Sequence, residues 1–173
     1  MTVKGIATSS ILLLLTSTCV LSAESGDWTY GRSDDQSMFY AFTTNDSGAI
    51  LGEWCSAETG NCAWMIGTTT GCEHDSSYPV LANADQGSAP VTISCSGKIE
   101  GTELTRYLFT NFKDIENLVR KSQRIGFAMP MQEGQFKVVR FSLSGESNAV
   151  TSMEQLVSRH VKSSKPSTKD TVL

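Results

Sequence analysis

Four cysteines, Cys55, Cys62, Cys72 and Cys95, fall within one stretch of a 173-residue chain, and a fifth, Cys19, lies apart near the start. What they permit depends on the compartment. Lys4, the apolar run Ile11 to Leu15 and the small-residue end Leu21-Ser22-Ala23 read together as an export segment over 1–23, so a mature chain is expected to begin at Glu24. The run is shorter than the roughly 20 apolar residues that cross a bilayer core, and no later stretch approaches that length, so no transmembrane segment is expected in the mature chain. Lipid anchoring through Cys19 would want a leucine three residues earlier and a small residue just before it. Thr16 and Thr18 stand there, which favours a removed segment and a periplasmic or secreted product over a lipoprotein.

An oxidising compartment turns four remaining cysteines into a two-disulfide framework. Four cysteines allow three connectivities. Local reading favours Cys55 with Cys62 and Cys72 with Cys95, because Ser56 to Asn61 is rich in turn formers and is flanked by strand-like Leu51 to Trp54 and Ala63 to Ile66. A four-cysteine zinc site would want a C-x-x-C knuckle, which the spacing lacks, and no metal or cofactor is expected. With the cysteines paired, no free thiolate is expected.

The remaining pattern predicts a mainly β, sandwich or barrel-like antiparallel domain over 24–161, with a short internal helix, a C-terminal helix and a flexible polar tail over 162–173. Strands are expected at Trp28 to Arg32, Met38 to Thr43, Ala49 to Cys55, Cys62 to Thr68, Tyr78 to Ala82 and Val91 to Cys95, divided by turn clusters such as Asn45 to Gly48 and Asp85 to Ser88. Leu104 to Phe109, Ile125 to Met129 and Phe136 to Leu143 continue the set. In the last, Val139, Phe141 and Leu143 alternate with Arg140 and Ser142, as one buried face demands. A helix is expected from about Asp114 to Ser122, capped by Asp114, and another from about Ser147 to Val161, capped by Ser144 with Gly145 releasing the backbone. Val150, Met153, Leu156, Val157, His160 and Val161 give the last helix one apolar stripe.

Chemistry is harder to find. Net charge is −4, with 14 Lys and Arg against 18 Asp and Glu, which argues against a nucleic-acid partner, since phosphate binding needs clustered cations. Arg159, Lys162, Lys165 and Lys169 form the one basic run, read as a solvated tail that could otherwise touch an acidic envelope surface. His74 lies between Glu73 and Asp75 beside a cysteine, an imidazole flanked by carboxylates that would suit a hydrolase or a metal, but it lacks a spaced second ligand. Phe141-Ser-Leu-Ser-Gly-Glu146 lacks the G-x-S-x-G spacing of a nucleophile elbow. Aromatics crowd the first strands. In Ser37 to Thr43 both alternating sets are apolar, so Phe39 and Tyr40 mark a strand covered on both faces or one with an adhesive face. Asn45-Asp-Ser47 fits a glycosylation sequon, relevant only in a eukaryotic secretory pathway.

The Trp28 opening, the spaced cysteines, Ile125-Gly-Phe-Ala-Met-Pro130 and Phe141-Ser-Leu-Ser-Gly145 leading into a terminal helix resemble the invasion-associated locus B family of bacterial periplasmic proteins. That resemblance implies a sandwich-like, disulfide-bearing fold linked to envelope function or host-cell entry, with no assigned catalytic site. It transfers no functional residue. The expected function is therefore non-catalytic binding of an envelope or host protein or a cell-wall polymer, through Glu73, His74 and Asp75 or through Phe39 and Tyr40. A periplasmic enzyme inhibitor or immunity protein, and a small hydrolase centred on His74, are the alternatives.

Overall fold

The computed structural model describes residues 22–131 and 135–164. Ten antiparallel strands form one continuous sheet: β1 (Ser22–Ser25), β2 (Trp28–Arg32), β3 (Met38–Thr44), β4 (Ile50–Ser56), β5 (Cys62–Thr68), β6 (Ser77–Ala84), β7 (Gly87–Lys98), β8 (Thr105–Phe109), β9 (Arg124–Pro130) and β10 (Phe136–Ser142). Their order is β1-β2-β3-β4-β5-β8-β7-β6-β9-β10. Two helices, α1 (Phe112–Val119) and α2 (Glu146–Ser164), complete the domain. This is the mainly β domain with an internal and a terminal helix that the alternation of the sequence predicts.

The sheet curls until its far ends meet, which makes it barrel-like. Trp28 Nε1–H donates to the Ser142 carbonyl at 3.1 Å, Asn45 Nδ2 donates to the Arg140 carbonyl at 3.1 Å, and the Asp27 N–H donates to the Ser144 carbonyl at 2.9 Å. The first two bonds occupy carbonyls on the outer edge of β10 that no strand pairs, and the third takes a carbonyl just beyond that strand. The closure is tight at two glycines. Gly26 and Gly145 sit at φ +57° and +89°, and a Cβ on Gly145 would strike the Ser25 carbonyl oxygen, so no side chain fits there.

Inward-facing residues alternate with outward ones most clearly along β3, β6, β7, β8 and β10, and the inward set fills a core that includes Leu51, Ile66, Val80, Ile93, Phe127 and Phe141. Helix α2 packs on β2 and β3 through Ala149, Val150, Met153 and Val157, with His160 5.5 Å ring to ring from Phe39. Pro79 and Pro90 are accommodated inside strands because each lies beyond the reach of one neighbour. β9 pairs only Leu81 to Ala84 of β6, and β8 begins to pair β7 at Ile93.

Several boundaries move from their sequence-based positions. β1 is an added strand, pairing Ser22 to Ser25 with Trp28 to Gly31, so it straddles the junction expected before Glu24. β6 and β7 run into the Asp85 to Ser88 cluster as a tight hairpin, with Gly87 at φ +122°. Asn111, not Asp114, caps α1, because its side chain accepts from the Lys113 N–H, and Asp114 falls in the first turn. That helix ends at Val119, short of Ser122. In α2 the Ala149 N–H bonds to the Gly145 carbonyl, so Gly145 takes the cap position expected of Ser144. The same helix continues through Ser164, three residues into the expected tail. The export segment up to Leu21, Cys19 and the remainder of the tail lie outside the described residues.

Both disulfides join the expected partners. Cys55–Cys62 bridges directly opposite residues of β4 and β5, and Cys72–Cys95 ties the loop after β5 to β7.

Candidate functional site

The outer face of β6, β9 and β10 carries a groove of about 900 Å³, open along one side and walled by the β3–β4 hairpin at Thr44 to Asp46. That volume is in the range of ligand sites. Strand register builds its floor in rows. Leu81, Ala128 and Val138 stand side by side, followed by Asn83, Gly126 and Arg140, then by Arg124 and Ser142. Gly126 leaves a dip in the second row, across which the stem of Arg140 lies.

The groove's chemistry is mixed. Leu81 is 51% and Val138 46% exposed, and Phe136 at 68% continues the apolar surface along β10. Among the described residues the exposed large apolar side chains are Leu81, Met131, Phe136 and Val138, all on or beside these strands. Such concentration, rather than scattered single residues, marks an interaction surface. Asp27, Asp46 and Asp85 and the guanidinium groups of Arg124 and Arg140 surround it. Asp85 is committed to the fold, since one carboxylate oxygen accepts from the N–H groups of Gln123 and Arg124 at 2.6 and 3.1 Å. Among the described residues neither Arg124 nor Arg140 forms an ion pair. Asn45 is also committed: its Oδ1 accepts from the N–H groups of Ser47 and Ala49 while its Nδ2 holds Arg140, so the sequon side chain serves as a clamp.

The residues singled out in the sequence lie elsewhere. Glu73, His74 and Asp75 form an exposed turn pinned by Cys72–Cys95, by the Glu73 N–H donating to the Tyr78 hydroxyl and by the Asp75 N–H donating to the Cys95 carbonyl. His74 Nδ1 lies 2.9 Å from Asp75 Oδ2, and both side chains are mostly in solvent. The pair is solvent-exposed and does not line the groove. Phe39 and Tyr40, from the two alternating apolar sets of β3, point to opposite faces, as that alternation requires. Phe39 is 4% exposed and belongs to the core against α2. Tyr40 faces outward in a half-buried strip with Phe42 and Trp54, whose rings stack at 5.9 Å. Partial burial, then the charge of Asp34, raises the Tyr40 hydroxyl pKa.

Glu53 is the residue that sequence reasoning passed over. It lies on the inward set of β4 with Leu51 and Cys55, 1% exposed, and burial pushes its carboxyl up to about 8, helped by the negative charges of Glu154, Glu116 and Glu146. Glu146, at the start of α2, is raised by burial in the same way. Arg120, at the C-cap of α1, is the cation nearby, shared between Glu116 and Glu154 at 3.2 Å each. A signal was present, since a glutamate on the inward beat of an alternating strand is a buried charge by pattern alone.

Fold and site together define a class: a disulfide-braced, antiparallel β domain carrying a terminal helix, with a groove of mixed apolar and charged lining on one outer face. It is similar to the crystal structure of invasion associated protein B from Bartonella henselae, with a TM-score of 0.54 and 16% identity over 79% of this chain and 97% of that one. At that identity the likeness is one of fold. No protein-family model matches the chain. No curated protein matches it. The two disulfides point to an extracytoplasmic protein. Among the described residues no helix is long and apolar enough to cross a membrane.

Proposed function

We propose that the chain is an exported, non-catalytic binding protein of a bacterial envelope that docks onto an envelope or host protein through the β6-β9-β10 groove. The carrying observation is the row Leu81, Ala128 and Val138, extended by Phe136, held open to solvent on a rigid sheet beside Arg124 and Arg140. Exposed apolar surface ringed by charge suits a protein partner, with the apolar row as anchor and the rim setting orientation. The name of the Bartonella protein links that fold to invasion, which accords with a host-facing or envelope-facing partner. The strip of Tyr40, Phe42 and Trp54 would instead suit a polymer, but its rings cover one another and are half-buried.

The test immobilises the folded chain and titrates it separately with fractionated envelope proteins, host-cell surface proteins and purified cell-wall polymer. Saturable binding of a protein fraction, lost in a Leu81→Ser/Val138→Lys variant and kept in His74→Ala, is the expected result. Equal binding by the groove variant removes the groove from the site.

A second reading rests on the pinned turn Glu73-His74-Asp75, whose acidic, exposed side chains would suit insertion into an enzyme's cleft as an inhibitor or immunity protein. Loss of binding in His74→Ala, with the groove variant unaffected, would favour it. For the hydrolase centred on His74, turnover on a broad substrate panel that disappears in His74→Ala is the result that would displace both binding readings.

A further inference from the structure

Cys55 and Cys62 face each other across β4 and β5, and their burial differs. Cys55 is fully buried, whereas Cys62 is half-buried at the end of the Ala57 to Asn61 loop. One carboxyl oxygen of Glu53 lies 3.7 Å from Cys55 Sγ, and its other oxygen reaches no donor among the described residues. The charged groups around that carboxyl are Glu146 and Glu154 from α2, Glu116 from α1 and Arg120 at the C-cap of α1. Burial first, then the negative charges of Glu154, Glu116 and Glu146 against the single Arg120 guanidinium, raises the Glu53 carboxyl to about 8 and keeps its proton in place at neutral pH.

A buried acid against the buried sulfur of a pair whose other cysteine is half-exposed is an arrangement that favours thiol–disulfide exchange. Exchange proceeds by attack of a thiolate on one sulfur, and the departing sulfur leaves faster when it is protonated or otherwise stabilised. We propose that Cys55–Cys62 is an exchange-active disulfide, in which Cys62 is the sulfur attacked by a partner dithiol and Glu53 delivers a proton to the departing Cys55. A thiolate of the partner bonds to Cys62 Sγ and the Cys55–Cys62 bond breaks, its electron pair leaving on Cys55, which takes the Glu53 proton. The partner's second thiolate then attacks its own sulfur in the mixed disulfide. That closes the partner's disulfide and releases Cys62 as a thiolate, protonated from water. Two electrons have passed from the partner dithiol to the chain. In the reverse direction the Glu53 carboxylate takes the Cys55 proton as that sulfur attacks.

The fold tolerates the opening. The bridge closes a loop of sequence separation 7, the shorter of the two, and the β4–β5 ladder from Ile50 to Cys55 remains to hold the strands. Cys72–Cys95 supplies an internal control. It too joins a half-buried to a buried cysteine, and among the described residues its sulfurs have no hydrogen-bond contact with a carboxylate.

The experiment treats the folded, oxidised chain with excess dithiothreitol under native conditions, alkylates at intervals and assigns each bridge by mass. Cys55–Cys62 is expected to open at least about tenfold faster than Cys72–Cys95 at neutral pH, and Glu53→Gln to slow the first by about tenfold while leaving the second unchanged. Corrected for thiolate concentration, the wild-type rate should fall above about pH 8 and the variant's should not. Equal opening of both bridges, or a Glu53→Gln rate equal to wild type, overturns the proposal. Should Glu53→Gln not fold, as its Cys72–Cys95 rate would reveal, the wild-type profile decides alone, and a corrected rate independent of pH overturns it equally.

Discussion

The halves β1–β5 and β6–β10 of one sheet are covered differently. On the first, α2 fills the inner face of β2 and β3, and the outer face closes over itself with Tyr40, Phe42 and Trp54. On the second, the inner face is equally dry, with Val80, Ile93, Phe127 and Phe141 buried, but the outer face leaves Leu81, Val138 and Phe136 in solvent. Strands that spend both faces on stability have little left for a partner. The contrast is why the proposed docking surface lies on β6, β9 and β10, whereas the unusual buried chemistry, Glu53 beside a disulfide, lies on the helix-covered half.

The strongest challenge to this division is at the seam. Trp28 is fully buried, edge-on to Trp64 at 6.0 Å, and its N–H reaches β10, so Trp28→Ala should cost about 3–5 kcal/mol in urea unfolding. A loss below about 1 kcal/mol would mean that the halves do not share one core. The bridges come next. Cys72–Cys95 closes a loop of separation 23 and Cys55–Cys62 one of 7, so replacing each pair with alanine should cost about 3 and about 2 kcal/mol in the chain-entropy account. The reverse order in denaturant midpoints would show that the first half depends on its bridge more than its helix cover implies.

The pH response separates the halves further. Glu53 is raised from 4.5 to about 8 in the folded chain, so the native state holds a proton that the unfolded chain gives up between those values. Stability from this group is full below about pH 4.5 and is lost as pH climbs through 8, at up to about 1.4 kcal/mol per pH unit. Thermal melts should therefore decline across this window, and Glu53→Gln should flatten the decline. An unchanged slope would leave Glu146, raised in the same direction, as the responsible group. The smallest effect is expected on the exposed face, where Leu81→Ser or Phe136→Ser should move stability by no more than about 0.5 kcal/mol. A larger loss would show that this surface is spent on the fold after all.

Alternation and turn chemistry made most strands legible. Val139, Phe141 and Leu143 face the core as their spacing requires, and both cysteine pairs follow from the turn between them and from proximity. Asn111 was missed because Asn111 and Asp114 can both accept a first-turn N–H, and only the burial of Ile115 and Val119 fixes the start. The groove could not be read along the chain, since its rows join strands brought together by the long excursion between β6 and β9, and its wall is a hairpin far from either. Phe39 and Tyr40 show the same limit at short range: adjacent residues of a strand serve opposite faces, and composition alone does not say which face is dry.

The Trp28 indole finds its acceptor at Ser142, 114 residues further along the chain. For a chain that emerges amino end first, the opening strands must wait, with a large apolar ring unsheltered, until almost the whole domain has been delivered. Closure is thus a late event that depends on distant contacts, the kind of assembly that is slow and exposed to capture by other chains while unfinished.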